Sequence, residues 1–317
     1  MIQQVIQEKP LVSIIVVTYN SSNTVVETLD SIKHQTYSEL ELIVSDDCSN
    51  DNTVQICRDW FEENAGRFVR SELVTSLKNT GIAPNFNRGL AIAQGEWIKT
   101  IAGDDAMFPN LVEAYIDYIE TQPEVKFLHS NVYMYKDSFK ECNRLPVPNS
   151  SSFTINKDGL TPEMQFQILL RKCQIWAATV MIKSEIFKEL GYFDESIPMW
   201  EDRPMWLKIT KHNIKLTYLN IVGAKYRICL SSVQKDSSYK KVFSNFDVLR
   251  GKVFYKRYIQ LLPTQERILK KIKIKRMLFL DKLGLNRNTI LIKIIIKITN
   301  YPLNIFINRL EKRNTKF

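Results

Sequence analysis

The sequence predicts an α/β domain, a mostly parallel sheet flanked by helices, followed by a basic helical extension. Apolar, β-branched runs alternate with segments of helical spacing through the first half of the chain, the pattern of successive strand-helix-strand units. Two of those runs end in adjacent aspartates, Asp46-Asp47 and Asp104-Asp105. Charge is also divided: residues 231–317 hold 21 Lys and Arg against 5 Asp and Glu, whereas the remainder holds 23 against 29. Opposite balances imply two regions with different partners, 1–230 and 231–317.

In chain order, residues 11–18 form a near-continuous apolar run, as expected of a strand covered on both faces. It stops at Tyr19-Asn20, after which Asn23 is a candidate cap for a helix reaching about Gln35. A second strand spans 40–45 and ends at the first aspartate pair. Helix 53–64, a strand around 68–74, a helix over about 84–94 and the strand 97–101 complete the alternation. Gly103 breaks that last strand just before Asp104 and Asp105. Further along, 109–122 has the spacing of a covering helix, 126–135 and 176–182 read as strands, and 136–161 as a loop.

At 317 residues with 44% apolar content the chain has ample material for a large core and an appendage. Its five cysteines, 48, 57, 142, 173 and 229, lack zinc or disulfide-framework spacing, so a reducing compartment is the simplest expectation. The first ten residues lack the pattern of a signal peptide, and no apolar run reaches membrane-spanning length. Neither Gly-x-Gly-x-x-Gly after the first strand nor a P-loop is present, which removes most of the weight from dehydrogenase and nucleotide-triphosphatase readings. The three histidines lie far apart and suggest no metal site.

Parallel strands send their C-terminal ends to one edge, where ligands of open α/β sheets bind. Paired carboxylates there repel each other unless a cation joins them. Mg2+ or Mn2+ would take one or two and leave the rest of its shell to water and phosphate oxygens; a solvated turn is the plain alternative. Asn85 and Asn87 either cap a helix or face a ligand. Arg88 either pairs with a phosphate or lies on a solvated face. Asp202, beside Glu201, opens a helix and is by spacing alone a cap. Trp176 and Trp200 either stack on sugar faces or fill core.

Taken together, Val12–Asn20, Ser31–Tyr37, Glu41–Asp51, Asn79–Leu90 and Gly95–Pro109, in that order, resemble family 2 glycosyltransferases of the GT-A fold. The resemblance covers about residues 10–230 and implies a Rossmann-like domain, with 10–110 binding nucleotide-sugar and 111–230 the acceptor. By this likeness Tyr19 lies against the base with Thr18 among the substrate-binding residues, Asp47 bonds the pyrimidine, and Asn87 packs under the nucleotide. Asp104 faces the ribose and, with Asp105, the metal. Many members carry Asp-x-Asp-Asp; here Ala102 replaces the first aspartate. Trp200-Glu201-Asp202-Arg203 matches the position where the family places its general base, which makes Asp202 that base and Trp200 and Glu201 substrate-side neighbours.

The implied reaction is inverting transfer of a sugar from a nucleotide diphosphate, UDP before dTDP, to a glycan or lipid-linked hydroxyl in surface-polysaccharide synthesis. A non-catalytic nucleotide- or membrane-binding scaffold and a sugar nucleotidyltransferase are the alternatives, the second weakened by the absence of a Gly-rich, Arg-containing N-terminal loop. In the extension, Val242, Phe246, Leu249 and Val253 follow helical spacing, as do Ile268, Ile272, Phe279 and Leu283. Residues 290–298 are apolar except for Lys293 and Lys297 on one stripe, and 301–310 continue the pattern. Such helices suit an anionic membrane interface, packing on the catalytic domain, or another subunit. A basic tail without a recognised module is weak evidence for nucleic acid. These expectations place the protein in the cytoplasm, peripheral on the inner face of the cell membrane.

Overall fold

A computed structural model describes residues 9–146, 150–197, 199–228, 241–294 and 296–298. Met1–Glu8, Cys229, the boundary at Leu230 and the expected helix at 301–310 lie outside them. The chain divides into two compact units, Met1–Ile228 and Cys229–Phe317.

In the first unit the elements run β1 (Val12–Thr18), α1 (Val25–Lys33), β2 (Leu40–Asp46), α2 (Thr53–Asn64), β3 (Arg70–Thr75), α3 (Ile82–Leu90), β4 (Trp97–Ala102), β5 (Ala106–Met107), α4 (Leu111–Thr121), β6 (Phe127–Lys136), β7 (Arg144–Leu145), α5 (Pro162–Arg171), β8 (Met181–Lys183), α6 (Ser184–Leu190), α7 (Asp202–Lys211) and β9 (Thr217–Ile228). One nine-stranded sheet has the order β3-β2-β1-β4-β8-β6-β9-β5, with β7 on β6. The first four strands are parallel, and β8 joins β4 antiparallel. The chain leaves β1 towards β2 and β3 and returns to β4 on the other side, so a switch point lies between the ends of β1 and β4. Register sets Thr18 opposite Asp46 and Val17 opposite Ala102. Both aspartate pairs therefore leave the same edge.

Burial explains the strands: every residue of β1 and β2 is inaccessible or nearly so. On α1 it is Val25, Thr28, Leu29 and Ile32 that turn inward, one stripe at the expected period. Glu41, wholly buried in β2, is held by the Ser13 hydroxyl, the Arg70 guanidinium and the Gln94 N–H (2.9 Å). A buried carboxylate survives only with such a full set of donors.

Some local expectations change. Asn23 does not cap α1; Thr24 precedes the helix, and its hydroxyl donates instead to the Gly103 carbonyl at 2.8 Å. Helix α3 begins earlier than expected, at Ile82, because Gly81 adopts a φ of 94° and leads the chain into it. Instead of one strand over 176–182 there is a short 3-10 turn at Ala177–Thr179 and then β8.

The second unit contains α8 (Asn245–Arg257) and α9 (Thr264–Lys282) among its described residues. Ser244 and Asp247 form a reciprocal cap at the start of α8. Gly251 admits α9 closely: a Cβ there would stand 2.2 Å from the Met277 methyl. Ile274, Met277 and Leu280 form the buried face of α9, whereas Ile268, Ile272, Phe279 and Leu283 are exposed. The helix stands where the spacing put it, but a different face is buried.

Candidate active site

The β1–β2 corner is built from hydrogen bonds between neighbours. Thr18, the last residue of β1, is buried, and its hydroxyl donates to Asp46 Oδ2 at 2.8 Å; the Ser49 N–H and hydroxyl complete the Asp46 shell. Asp46 is thus a structural carboxylate. Asp47 faces the other way. Its Oδ2 accepts the Thr80 and Gly81 N–H groups at 2.8 and 2.6 Å, and its Oδ1 accepts the Thr80 hydroxyl at 2.6 Å and Arg88 Nη2 at 3.0 Å. Four donors occupy the acceptor positions of this carboxylate. A pyrimidine N–H can join Asp47 only where one of them yields, and the rotatable Thr80 hydroxyl has the least to lose.

Arg88 does not lie on a solvated face: its guanidinium, partly exposed, spans Asp47 and Asn85 Oδ1 (3.1 Å). Asn87 is likewise committed: its amide donates to the Phe193 carbonyl and Glu195 Oε1 and accepts the Phe193 N–H, all within 3.0 Å. It clasps the turn after α6 rather than merely capping α3. A cleft of about 400 Å3 opens here, lined by Ser76, Thr80, Pro84, Asn87, Arg88, Tyr192 and Glu195. Tyr19, just past β1, is 46% exposed and stands on the edge as a ready stacking surface.

At the end of β4 the chemistry differs. Gly103 is required by space, since a Cβ would meet the Thr18 methyl at 2.8 Å. Asp105 is buried, and its Oδ1 accepts the Arg227 N–H at 2.9 Å. Arg227 Nε donates to the Asp104 carbonyl at 2.7 Å, and the same guanidinium reaches the Asp137 carbonyl (2.7 Å) and Glu27. Burial first, and Asp104 second, push the Asp105 carboxyl well above the usual carboxylate range. Burial also raises Asp104, against the lowering pull of Arg227.

Across the site, α7 begins at Asp202, as the sequence suggests, and Asp202 Oδ1 accepts the Arg203 N–H at 2.6 Å. Burial and then Asp202 raise Glu201 from 4.5 to about 8. The Tyr226 hydroxyl is raised by burial and then by Asp105, Asp104, Asp202 and Glu201. Trp176 packs on Tyr226 with ring centroids 5.8 Å apart. Trp200, in contrast, is 4% exposed and sits with the Arg203 guanidinium over its ring, so it belongs to the core and offers sugar no open face.

Two contributors to this site, Tyr226 and Arg227, were not anticipated. Both lie on β9, whose Thr, Tyr, Ile and Val residues carried a strand signal. A third, Lys99, is completely buried in β4; its Nζ donates to the Thr100 and Ala178 carbonyls at 2.6 and 2.7 Å, and burial lowers it to about 7. The lysine therefore ties the acid-bearing strand to the turn beside Trp176. His129 is also buried, and burial lowers it to about 3, so it is a neutral core residue.

The switch point of the parallel sheet, with Asp46-Asp47 and Asp104-Asp105 leaving the same edge, is where α/β enzymes bind their ligands. A sequence model of the family described as Glycosyl transferase family 2 matches residues 13–191, more than half of the chain, and the chain belongs to that family. Among its relatives, the Escherichia coli UDP-Glc:alpha-D-GlcNAc-diphosphoundecaprenol beta-1,3-glucosyltransferase WfaP is 29% identical over 246 residues, covering 76% of this chain and 86% of that protein. WfgD of E. coli, which bears the same activity in its name, is 28% identical over 240 residues, covering 75% and 85%. Among solved structures, S. aureus TarS 1–349 in complex with UDP-GlcNAc superposes with a TM-score of 0.58 at 20% identity, covering 82% of this chain and 70% of that one. The mannosyltransferase PcManGT from Pyrobaculum calidifontis, in complex with GDP-Man and Mn2+, gives 0.54 at 18% identity, covering 78% and 63%. At those identities the superpositions establish the fold, which is GT-A.

Proposed function

We propose that this glycosyltransferase moves a hexose from a UDP-sugar to a hydroxyl of a sugar carried on a lipid diphosphate, with inversion at the anomeric carbon. The observation that carries the reading is the burial of Asp105 beside Asp104 just past the carboxyl end of β4, where the Arg227 N–H of β9 holds it. Two E. coli relatives are named for UDP-Glc, a diphosphoundecaprenol-linked acceptor and a beta link. A β link made from an α-linked donor is the outcome of a single displacement.

Asp104 and Asp105 suit a hard divalent ion, because burial weakens both as free anions and Asp104 weakens Asp105 further. Among the described residues no three His, Cys, Asp or Glu side chains are placed to hold a metal alone, so diphosphate and water oxygens would complete the shell. Mn2+ or Mg2+ bound there would neutralise charge on the departing diphosphate. Tyr19 lies against the base, and the Asp47–Arg88 pair fixes the loop beneath it. Asp202 accepts the proton of the acceptor hydroxyl as its oxygen bonds C1 and the C1–O bond to the diphosphate breaks. Glu201, protonated near neutral pH, leaves Asp202 as the ionised member of its pair. Trp176, half-buried against Tyr226, is the open aromatic surface for a sugar. An acceptor of this class places the enzyme at the cytoplasmic face of a membrane.

Incubation of the purified protein with UDP-Glc, UDP-GlcNAc or UDP-Gal, Mn2+ and a synthetic GlcNAc-diphospho-lipid, with the product linkage read by NMR, tests the reading. A β-linked disaccharide lipid is the expected product. An α-linked product would overturn inversion, and failure to bind any uridine nucleotide would overturn the donor.

A further inference from the structure

Helix α9 carries two apolar faces. The buried one, Ile274, Met277 and Leu280, is used within the second unit, where Met277 meets Gly251 of α8. The other lies opposite. Ile268, Ile272, Phe279 and Leu283 recur at intervals of four, seven and four residues, which places them on one stripe of a helix. Their exposures are 53, 46, 60 and 52%. Single exposed apolar residues are ordinary, but an aligned stripe of four marks a surface that is covered in use.

The charge around the stripe says what covers it. Lys275 and Lys282 stand one residue position around the helix from the stripe, and both are exposed. Residues 241–298 hold 15 Lys and Arg against 3 Asp and Glu. A second copy would bring the same surplus to the interface, and like charges at a desolvating contact are unfavourable. An anionic bilayer instead offers hydrocarbon to the stripe and phosphate to the lysines. The design recurs after Thr289, where Ile290, Ile294 and Ile298 are exposed on one side and Lys293 and Lys297 lie beside them. No helix among the described residues is long and apolar enough to cross a membrane.

We propose that the second unit docks on an anionic lipid surface through the exposed stripe of α9, Ile268, Ile272, Phe279 and Leu283, with Lys275 and Lys282 against the headgroups. The helix lies in the interface plane, with its other face on α8. This deepens the proposed function, resting on it only in taking a membrane as the place of work, since the stripe and the charge are features of the second unit alone.

Flotation of the full chain with vesicles of phosphatidylcholine, with or without phosphatidylglycerol, tests the docking. The unaltered protein is expected to float with the anionic vesicles and to bind neutral ones at least about tenfold more weakly. Two double variants separate the contributions: Ile272→Glu with Phe279→Glu removes the stripe, and Lys275→Glu with Lys282→Glu reverses the margin. Each is expected to lower binding to anionic vesicles by more than about tenfold. All four positions are exposed, and unchanged circular dichroism and UDP binding confirm that both units remain folded. Undiminished flotation of the stripe variant overturns the proposal. So does equal binding to neutral vesicles, or a dimer of the unaltered chain that Phe279→Glu splits while flotation persists. Sugar transfer to the lipid acceptor is read separately, so flotation without transfer would sink the activity and leave the docking standing.

Discussion

On the β1–β2 flank of the sheet edge, each buried carboxylate is surrounded by donors from its own fold. Asp46 has Thr18 and Ser49, and Asp47 has Thr80, Gly81 and Arg88. On the β4–α7 flank, Asp104, Asp105 and Glu201 are crowded, and all three are raised. The first flank is complete without a ligand, and its bonds hold the Thr80–Gly81 loop still. The second is electrostatically incomplete: burial and a neighbouring carboxylate raise Asp105 and Glu201, and the pull of Arg227 and Lys99 on Asp105 does not offset them. Structural carboxylates are satisfied at home. Raised ones mark the flank to which the proposed chemistry is assigned.

That contrast can be broken from either side. The largest effect is expected from Asp202→Asn, which keeps the shape and removes the proposed proton acceptor: kcat falls by up to about 10^4-fold while UDP binding, read by calorimetry, stays the same. Asp105→Asn keeps the acceptor for the Arg227 N–H but loses the charge. It is expected to lower kcat/KM by about 10^2–10^3-fold and to abolish the rise in melting temperature that Mn2+ gives the unaltered protein. On the complete flank, Arg88→Ala acts through the fold. Unpairing Asp47 costs about 1–3 kcal/mol of stability, measured by urea unfolding, and raises KM for the UDP-sugar with little change in kcat.

The smallest effect is a slope. Glu201 holds a proton in the folded chain up to about pH 8 but releases it near 4.5 when unfolded. The folded state binds more protons across that window, so stability falls as pH rises from about 4.5 to about 8. Glu201→Gln removes this contribution, and unfolding followed across the window should show a flatter profile. An unchanged slope would mean that Glu201 ionises normally beside Asp202.

How much was legible in the sequence follows the same division. Strands β1, β2 and β4 were readable because burial on both faces demands continuous apolar runs, and helix α2 begins and ends where its spacing places it. The edge that gathers both aspartate pairs followed from parallel strands. What was hidden was pairing across long separations. Arg227 meets Asp105 from 122 positions away, and Asn87 meets Glu195 from 108. No local pattern encodes either contact. Trp200 carried no mark of burial, since an aromatic residue suits a core and a sugar face equally. In α9 the two apolar faces gave the same period, and Gly251 on another helix decided which of them packs inward.

The most direct test of the incomplete flank is calorimetric titration of the full chain with UDP, with and without Mn2+, repeated on Asp105→Asn. Mn2+ is predicted to tighten UDP binding by at least about tenfold in the unaltered protein and to have no effect in the variant, whose metal-free affinity is unchanged. UDP binding that ignores Mn2+, or that Mn2+ strengthens equally in both proteins, would contradict the assignment of the acid pair to a metal–diphosphate site.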